Sequence, residues 1–134
     1  MSRELINPPE LYGGAPYSYV AVAPEGGVVF AAGACPIDAE GRVTEPGDVP
    51  AQARRTLDNL KVALDAAGCS LDDVLKTTVY VASSDRADLL AAWAVVESEF
   101  GSDGPPSTLL GVAALGYDLQ LVEIEAVALR RVPG

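Results

Sequence analysis

Two carboxylates occupy alternate positions of one apolar stretch, Leu121-Val122-Glu123-Ile124-Glu125-Ala126-Val127-Ala128. Alternate residues of a strand share a face, so Glu123 and Glu125 point the same way, and a carboxylate in such surroundings suits proton transfer. A second short apolar stretch precedes it, Pro105-Pro106-Ser107-Thr108-Leu109-Leu110-Gly111, headed by two hydroxyls. The chain has no histidine, which removes Ser-His and Cys-His nucleophilic machinery and the usual zinc ligand set together. Acid-base chemistry must then use Glu, Asp, Tyr, Lys, Cys or bound water. Only Cys35 and Cys69 are present, too few for a disulfide scaffold, and they read as small buried hydrophobes with no metal site to serve.

The elements that hold these residues follow from local signals. Prolines and glycines at Asn7-Pro8-Pro9 and Tyr12-Gly13-Gly14-Ala15-Pro16 predict an extended arm. A hairpin follows, from Tyr19 to Ala23, through a tight turn at Glu25-Gly26-Gly27, to Val28 through Ala34. Asp48 suits a helix N-cap, Ala53, Leu57, Leu60, Leu64 and Ala67 recur at helical spacing, and Gly68 supplies the stop. Val74 to Val81, dense in Val, Thr and Tyr, predicts a strand. Ser84 is placed to cap a second helix with the stripe Leu89, Trp93, Val96 and Phe100, ended by Gly101. Strands near Thr108 to Val112 and Leu121 to Leu129 close the order β-β-α-β-α-β-β. Both helices are single-sided, so the economical architecture is an α+β two-layer sandwich with both helices on one face of a sheet. Its other face is left apolar, which predicts a homo-oligomer with sheets facing one another.

At 134 residues the chain reads as a single domain, 1–134. Asp and Glu number 19 against 9 Lys and Arg, a formal charge of -10 that would repel a phosphate backbone, so nucleic acid is not an expected partner. No run approaches the roughly 18 consecutive apolar residues of a membrane span. The start Met1-Ser2-Arg3-Glu4-Leu5 lacks the pattern of a signal peptide, which makes the cytoplasm the expected location.

Several strings carry a resemblance over essentially the whole chain: Pro16-Tyr17-Ser18, Phe30-Ala31-Ala32-Gly33, Gln52 through Leu60, Gly68 through Val81 with its Lys76-Thr77-Thr78-Val79-Tyr80 strand, and Val122-Glu123-Ile124-Glu125-Ala126. In this the chain resembles the RidA (YjgF) family of reactive-intermediate deaminases. The resemblance implies a chorismate-mutase-like α+β subunit with a mixed sheet, assembled as a homotrimer around a central β-barrel with a ligand cleft at each subunit interface. It also implies hydrolysis of enamines and imines to a carbonyl product and ammonia, without metal or cofactor. Glu123 falls where the family positions the attacking water, and Tyr17 lies in a segment that the family folds over the cleft. Where active members read Pro-Ala-Arg-Ser, this chain reads Pro105-Pro106-Ser107-Thr108, so Ser107 replaces the arginine that grips a substrate carboxylate. A hydroxyl offers one neutral hydrogen bond in place of a planar charged fork, so weakened activity or an altered substrate range is expected.

Two functions stand open at this point. In one, the interface cleft hydrolyses a reactive imine or enamine, with Glu123 catalytic and Tyr17, Gly33, Ser107, Thr108 and Leu109 binding substrate, the backbone N–H groups at 107–109 among them. In the other, a non-catalytic trimer binds or senses a small metabolite such as a carboxylate. Each residue also has a plainer role: Glu123 in an interface ion pair, Tyr17 as packing for the arm, Gly33 as close approach by another strand. Ser107 and Thr108 also suit strand and turn preferences alone. A ribonuclease role fits poorly with the acidic charge and the missing histidine.

Overall fold

A computed structural model describes residues 3–23 and 27–130. Two helices pack on a mixed sheet of six strands, an α+β arrangement. In chain order the elements are β1 (Glu4–Ile6), β2 (Val20–Val22), β3 (Val28–Ala34), α1 (Val49–Ala66), a single 3-10 turn at Leu71–Asp73, β4 (Val74–Val81), α2 (Arg86–Phe100), β5 (Ser107–Gly111) and β6 (Val122–Leu129). Across the sheet the order is β1-β2-β3-β6-β4-β5, with β4 and β5 parallel and every other pair antiparallel. The strand β1 is an addition to the expected order: Glu-Leu-Ile has no alternation to betray it, and it exists through its pairing with β2. Of the expected hairpin turn, Glu25 and Gly26 lie outside the described residues.

The helix α1 forms as its sequence directs. Asp48 caps it by accepting a hydrogen bond from Ala51 N–H at 3.0 Å, Pro50 sits in the first turn where no donor is lost, and Gly68 ends it at φ +77°. Leu57, Leu60 and Leu64 on its inner face are fully buried, each worth about 1.5–3 kcal/mol of transfer free energy. At α2 the cap is Asp85 rather than Ser84: its carboxylate accepts from Ala87 N–H at 2.9 Å, while Ser83 Oγ accepts from Asp85 N–H and donates to Asp88. An ionised acceptor makes the stronger bond to a helix N-terminus.

Alternation sorts the sheet into two faces. Val122, Ile124, Ala126 and Ala128 of β6, with Thr77, Val79 and Val81 of β4, are buried toward the helices. On the other face lie Glu123, Glu125 and Val127, with exposed Leu5, Phe30, Leu110 and Leu129 around them. No helix among the described residues is long and apolar enough to cross a membrane.

Candidate functional site

Glu123 sits in the central strand, opposite Tyr80 of β4. On its other side β3 carries a bulge: Ala31 pairs with Ala126 and Ala34 with Ile124, three steps on β3 against two on β6. Bulges re-aim backbone beside sites, and this one leaves Gly33 against the Glu123 side chain, where an added Cβ would collide with Oε2, Cδ and Cγ. Glycine stands there because the carboxylate occupies the space a side chain would need.

The carboxylate is half-buried and asymmetrically held. Its Oε1 accepts from Gln120 Nε2 at 3.2 Å and from Cys35 Sγ at 3.5 Å. Burial first, and then the Glu123 charge, push the Cys35 thiol up to about 12, so it stays a protonated donor at neutral pH. The recess around this carboxylate is lined by Tyr17, Ala32, Gly33, Cys35, Gly116, Tyr117, Gln120 and Glu123. At its rim the Tyr17 and Tyr117 hydroxyls lie 3.2 Å apart, and burial raises the Tyr17 phenol well above the ordinary tyrosine value, so it is a neutral hydrogen-bonding group. Tyr17 also packs edge-on against Tyr19, whose hydroxyl donates to Tyr12 C=O at 2.9 Å and fixes the arm.

Thus Tyr17, Gly33 and Glu123 come together in one recess. Ser107, Thr108 and Leu109 do not join them within one chain. Ser107 pairs in register with Thr77, and its Oγ accepts from Thr77 Oγ1 at 2.7 Å. It lines a separate groove with Trp93, Val96, Glu97 and Phe100, and the two recesses share no lining residue. Thr108 turns to the opposite face and accepts from Lys76 Nζ at 2.6 Å, while Leu109 packs toward the core. Their backbone is more telling than their side chains. Thr77 N–H donates to Pro106 C=O and Val112 N–H to Val81 C=O, so in a parallel ladder the N–H groups of Ser107 and Leu109 point to the free edge of the described sheet.

Glu125, on the same face as Glu123, accepts from Tyr80 Oη at 2.6 Å and is spoken for structurally. Tyr117 and Gln120 are participants that the sequence did not single out, and Cys35, read there as a small buried hydrophobe, is buried but also donates to Glu123. The spacing of Cys35 two residues after Gly33 is the only local hint for any of them. Among the described residues no group of His, Cys, Asp and Glu is arranged to hold a metal ion.

Residues 9–130 match the family described as Endoribonuclease L-PSP. A RutC family protein from Pyrococcus horikoshii is 40% identical over 113 residues, covering 84% of this chain and 86% of its own. The 2-iminobutanoate/2-iminopropanoate deaminase of Escherichia coli is 37% identical over 115 residues, covering 84% and 88%. Among solved structures, the YjgF gene product of Escherichia coli superposes with a TM-score of 0.76 at 33% identity, over 96% of this chain and 99% of that one. A putative endoribonuclease from Thermotoga maritima superposes with a TM-score of 0.82 at 33% identity, over 98% and 100%. Sequence and fold agree over nearly the full length, and the chain belongs to the Endoribonuclease L-PSP family, the RidA/YjgF family whose motifs its sequence carries.

Proposed function

We propose that this protein hydrolyses reactive imines and enamines to a carbonyl product and ammonia, in a cleft completed between subunits of a homotrimer. The observation that carries the reading is the Glu123 carboxylate: one oxygen is tied by Gln120 and Cys35, while the other lies against Gly33 in an open recess rimmed by two tyrosine hydroxyls. That arrangement is suited to orienting a water molecule and receiving its proton. The water oxygen bonds to the imine carbon as the C=N π pair moves to nitrogen. The carbinolamine so formed breaks its C–N bond once nitrogen is protonated, releasing ammonia and leaving a C=O. An enamine enters the same route after protonation at carbon. The deaminase activity named for the Escherichia coli relative is of this kind.

Ser107 shapes the substrate range. Its Oγ accepts from Thr77 and so keeps its own O–H proton, and a substrate carboxylate would be met by that single hydroxyl and the edge N–H groups of Ser107 and Leu109, without a guanidinium. A charge-assisted fork is worth a few kcal/mol, and its loss favours imines less acidic than a 2-imino acid. Because Ser107 and Glu123 line separate recesses of one chain, a site using both takes one from each of two copies.

Ser107 also supports a second reading, in which the trimer binds a small metabolite without turning it over. Incubation with imines freshly generated by amino-acid oxidases, carboxylated and uncarboxylated, separates the two. Accelerated loss of imine that disappears in Glu123→Gln supports the enzyme; no acceleration for any imine, with a ligand still bound, supports the binder.

A further inference from the structure

A carboxylate orients water well only if its rotamer is fixed, and no hydrogen bond within β6 itself fixes Glu123. Beside the Cys35 thiol just past β3, the fixing comes from Gln120 in segment 113–121, which Gln52 of α1 holds in place. Gln52 is fully buried: its Nε2 donates to Leu119 C=O at 3.1 Å and Glu45 C=O at 3.2 Å, and its Oε1 accepts from Leu121 N–H at 2.8 Å. Both neighbours of Gln120 are thereby tied to α1, and Leu119 is held at φ +67°, a conformation a leucine does not choose unaided. Gln120, only 4% exposed, then uses every group it has: Oε1 accepts from Tyr117 N–H at 3.1 Å, and Nε2 donates to Val122 C=O at 3.0 Å and Glu123 Oε1 at 3.2 Å.

We infer that Gln120 is a positioning residue: its side-chain amide, anchored through Leu119 and Leu121 by Gln52, locks Glu123 so that Oε2 is the oxygen presented to water. The inference rests on Glu123 being the water-holding group. An amide suits the task because both its protons are committed and it carries no charge, so it orients the carboxylate without neutralising it. The same side chain, through Tyr117 N–H, sets the loop that brings the Tyr117 phenol to Tyr17.

The test compares the parent with Gln120→Met, which keeps length and loses all three bonds, and Gln120→Glu, which keeps the acceptor for Tyr117 N–H but sets a second carboxyl beside the first. Two readouts are taken: imine hydrolysis against pH, and carbon-13 NMR titration of the Glu123 carboxyl. Groups facing that carboxyl are Cys35 from β3, Tyr80 from β4, Tyr17 from the arm, Tyr117 from segment 113–121 and Glu125 on its own strand. The thiol is displaced up to about 12. Tyr17 is raised by burial and Tyr80 by its bond to Glu125, so these groups stay protonated in acid; the Glu125 carboxyl resonance is followed alongside.

Loss of a donor disfavours the charged carboxylate. The titration midpoint therefore rises in Gln120→Met and further in Gln120→Glu, the acid limb of the rate profile moves with it, and kcat falls roughly 10- to 100-fold with KM little changed. In the parent, the Gln120 side-chain amide resonances follow the carboxyl titration, a measurement that needs no variant. Parental midpoints in a folded variant, or a flat Gln120 response in the parent, overturn the inference. If the parent turns over no imine, the proposed function fails while the NMR titration still decides what Gln120 does.

Discussion

Glu123 fills the space that a Cβ on Gly33 would occupy. The bulge that brings these two residues together separates Ala31 from Ala34 on β3, so strand irregularity and carboxylate placement are one feature. Gly33→Ala forces the carboxylate to swing away, and because the obstacle is the far part of a flexible side chain the fold survives. The expected result is a thermal midpoint close to the parent's with imine hydrolysis down roughly 100-fold, the cost typical of a misplacement of about 1 Å. A variant with parental kcat would show that Glu123 tolerates displacement and is not the group that holds water.

Ser107→Arg sets a guanidinium at the mouth of the groove that Trp93, Glu97 and Phe100 line. Measured as kcat/KM for a carboxylated imine relative to an uncarboxylated one, the ratio is expected to rise roughly 10- to 100-fold, the worth of a charge-assisted bidentate pair over a neutral hydrogen bond. An unchanged ratio would mean that residue 107 does not face the substrate.

Phe30 is 55% exposed on the face that no helix covers, near Leu5 and Val127. Patches of this kind mark association surfaces. Sedimentation of Phe30→Asp at micromolar concentration is expected to show dissociation into single chains, together with loss of turnover if the cleft needs two copies. A parent that sediments as a monomer would remove the shared cleft altogether.

Acid sensitivity has a local source in the loop between β3 and α1. The Asp38 carboxylate accepts from Arg42 N–H at 2.9 Å and Glu40 N–H at 3.0 Å, and these bonds, the Arg42 one foremost, hold it below the usual aspartate range. A lowered native value stabilises the fold above the unfolded pKa of about 3.9 and is lost as pH falls through the native value. Asp38→Ala is therefore expected to unfold more readily than the parent at neutral pH, with the gap closing below roughly pH 4. A gap that persists at lower pH would assign the effect to something other than this carboxylate.

The parts of the fold readable from sequence are those that local physics decides. The α1 cap at Asp48, its leucine stripe and its glycine stop lie within one continuous segment and need no partner to be recognised. The strand β1 and the position of β6 between β3 and β4 depend on pairing across the chain, which periodicity does not carry. The site divides the same way. Glu123, Gly33 and Tyr17 stood out through residue type and family motif, whereas Cys35 reaches Glu123 across a sequence separation of 88. Gln120 and Tyr117 lie in an irregular segment whose course is set by Gln52 from another element. Adjacency in sequence grouped Ser107, Thr108 and Leu109, whereas the register with Thr77 sets the Ser107 side chain on one face of the sheet and that of Thr108 on the other.

The central place of β6 bears on how the protein comes into being. A growing chain on the ribosome has β1, β2 and β3 in one part of the sheet and β4 and β5 in another, with no strand to join the two until residues 122–129 emerge. Sheet closure is thus a late, long-range event, and the strand that accomplishes it also delivers Glu123. A product truncated before that segment would lack both a joined sheet and the Glu123 carboxylate.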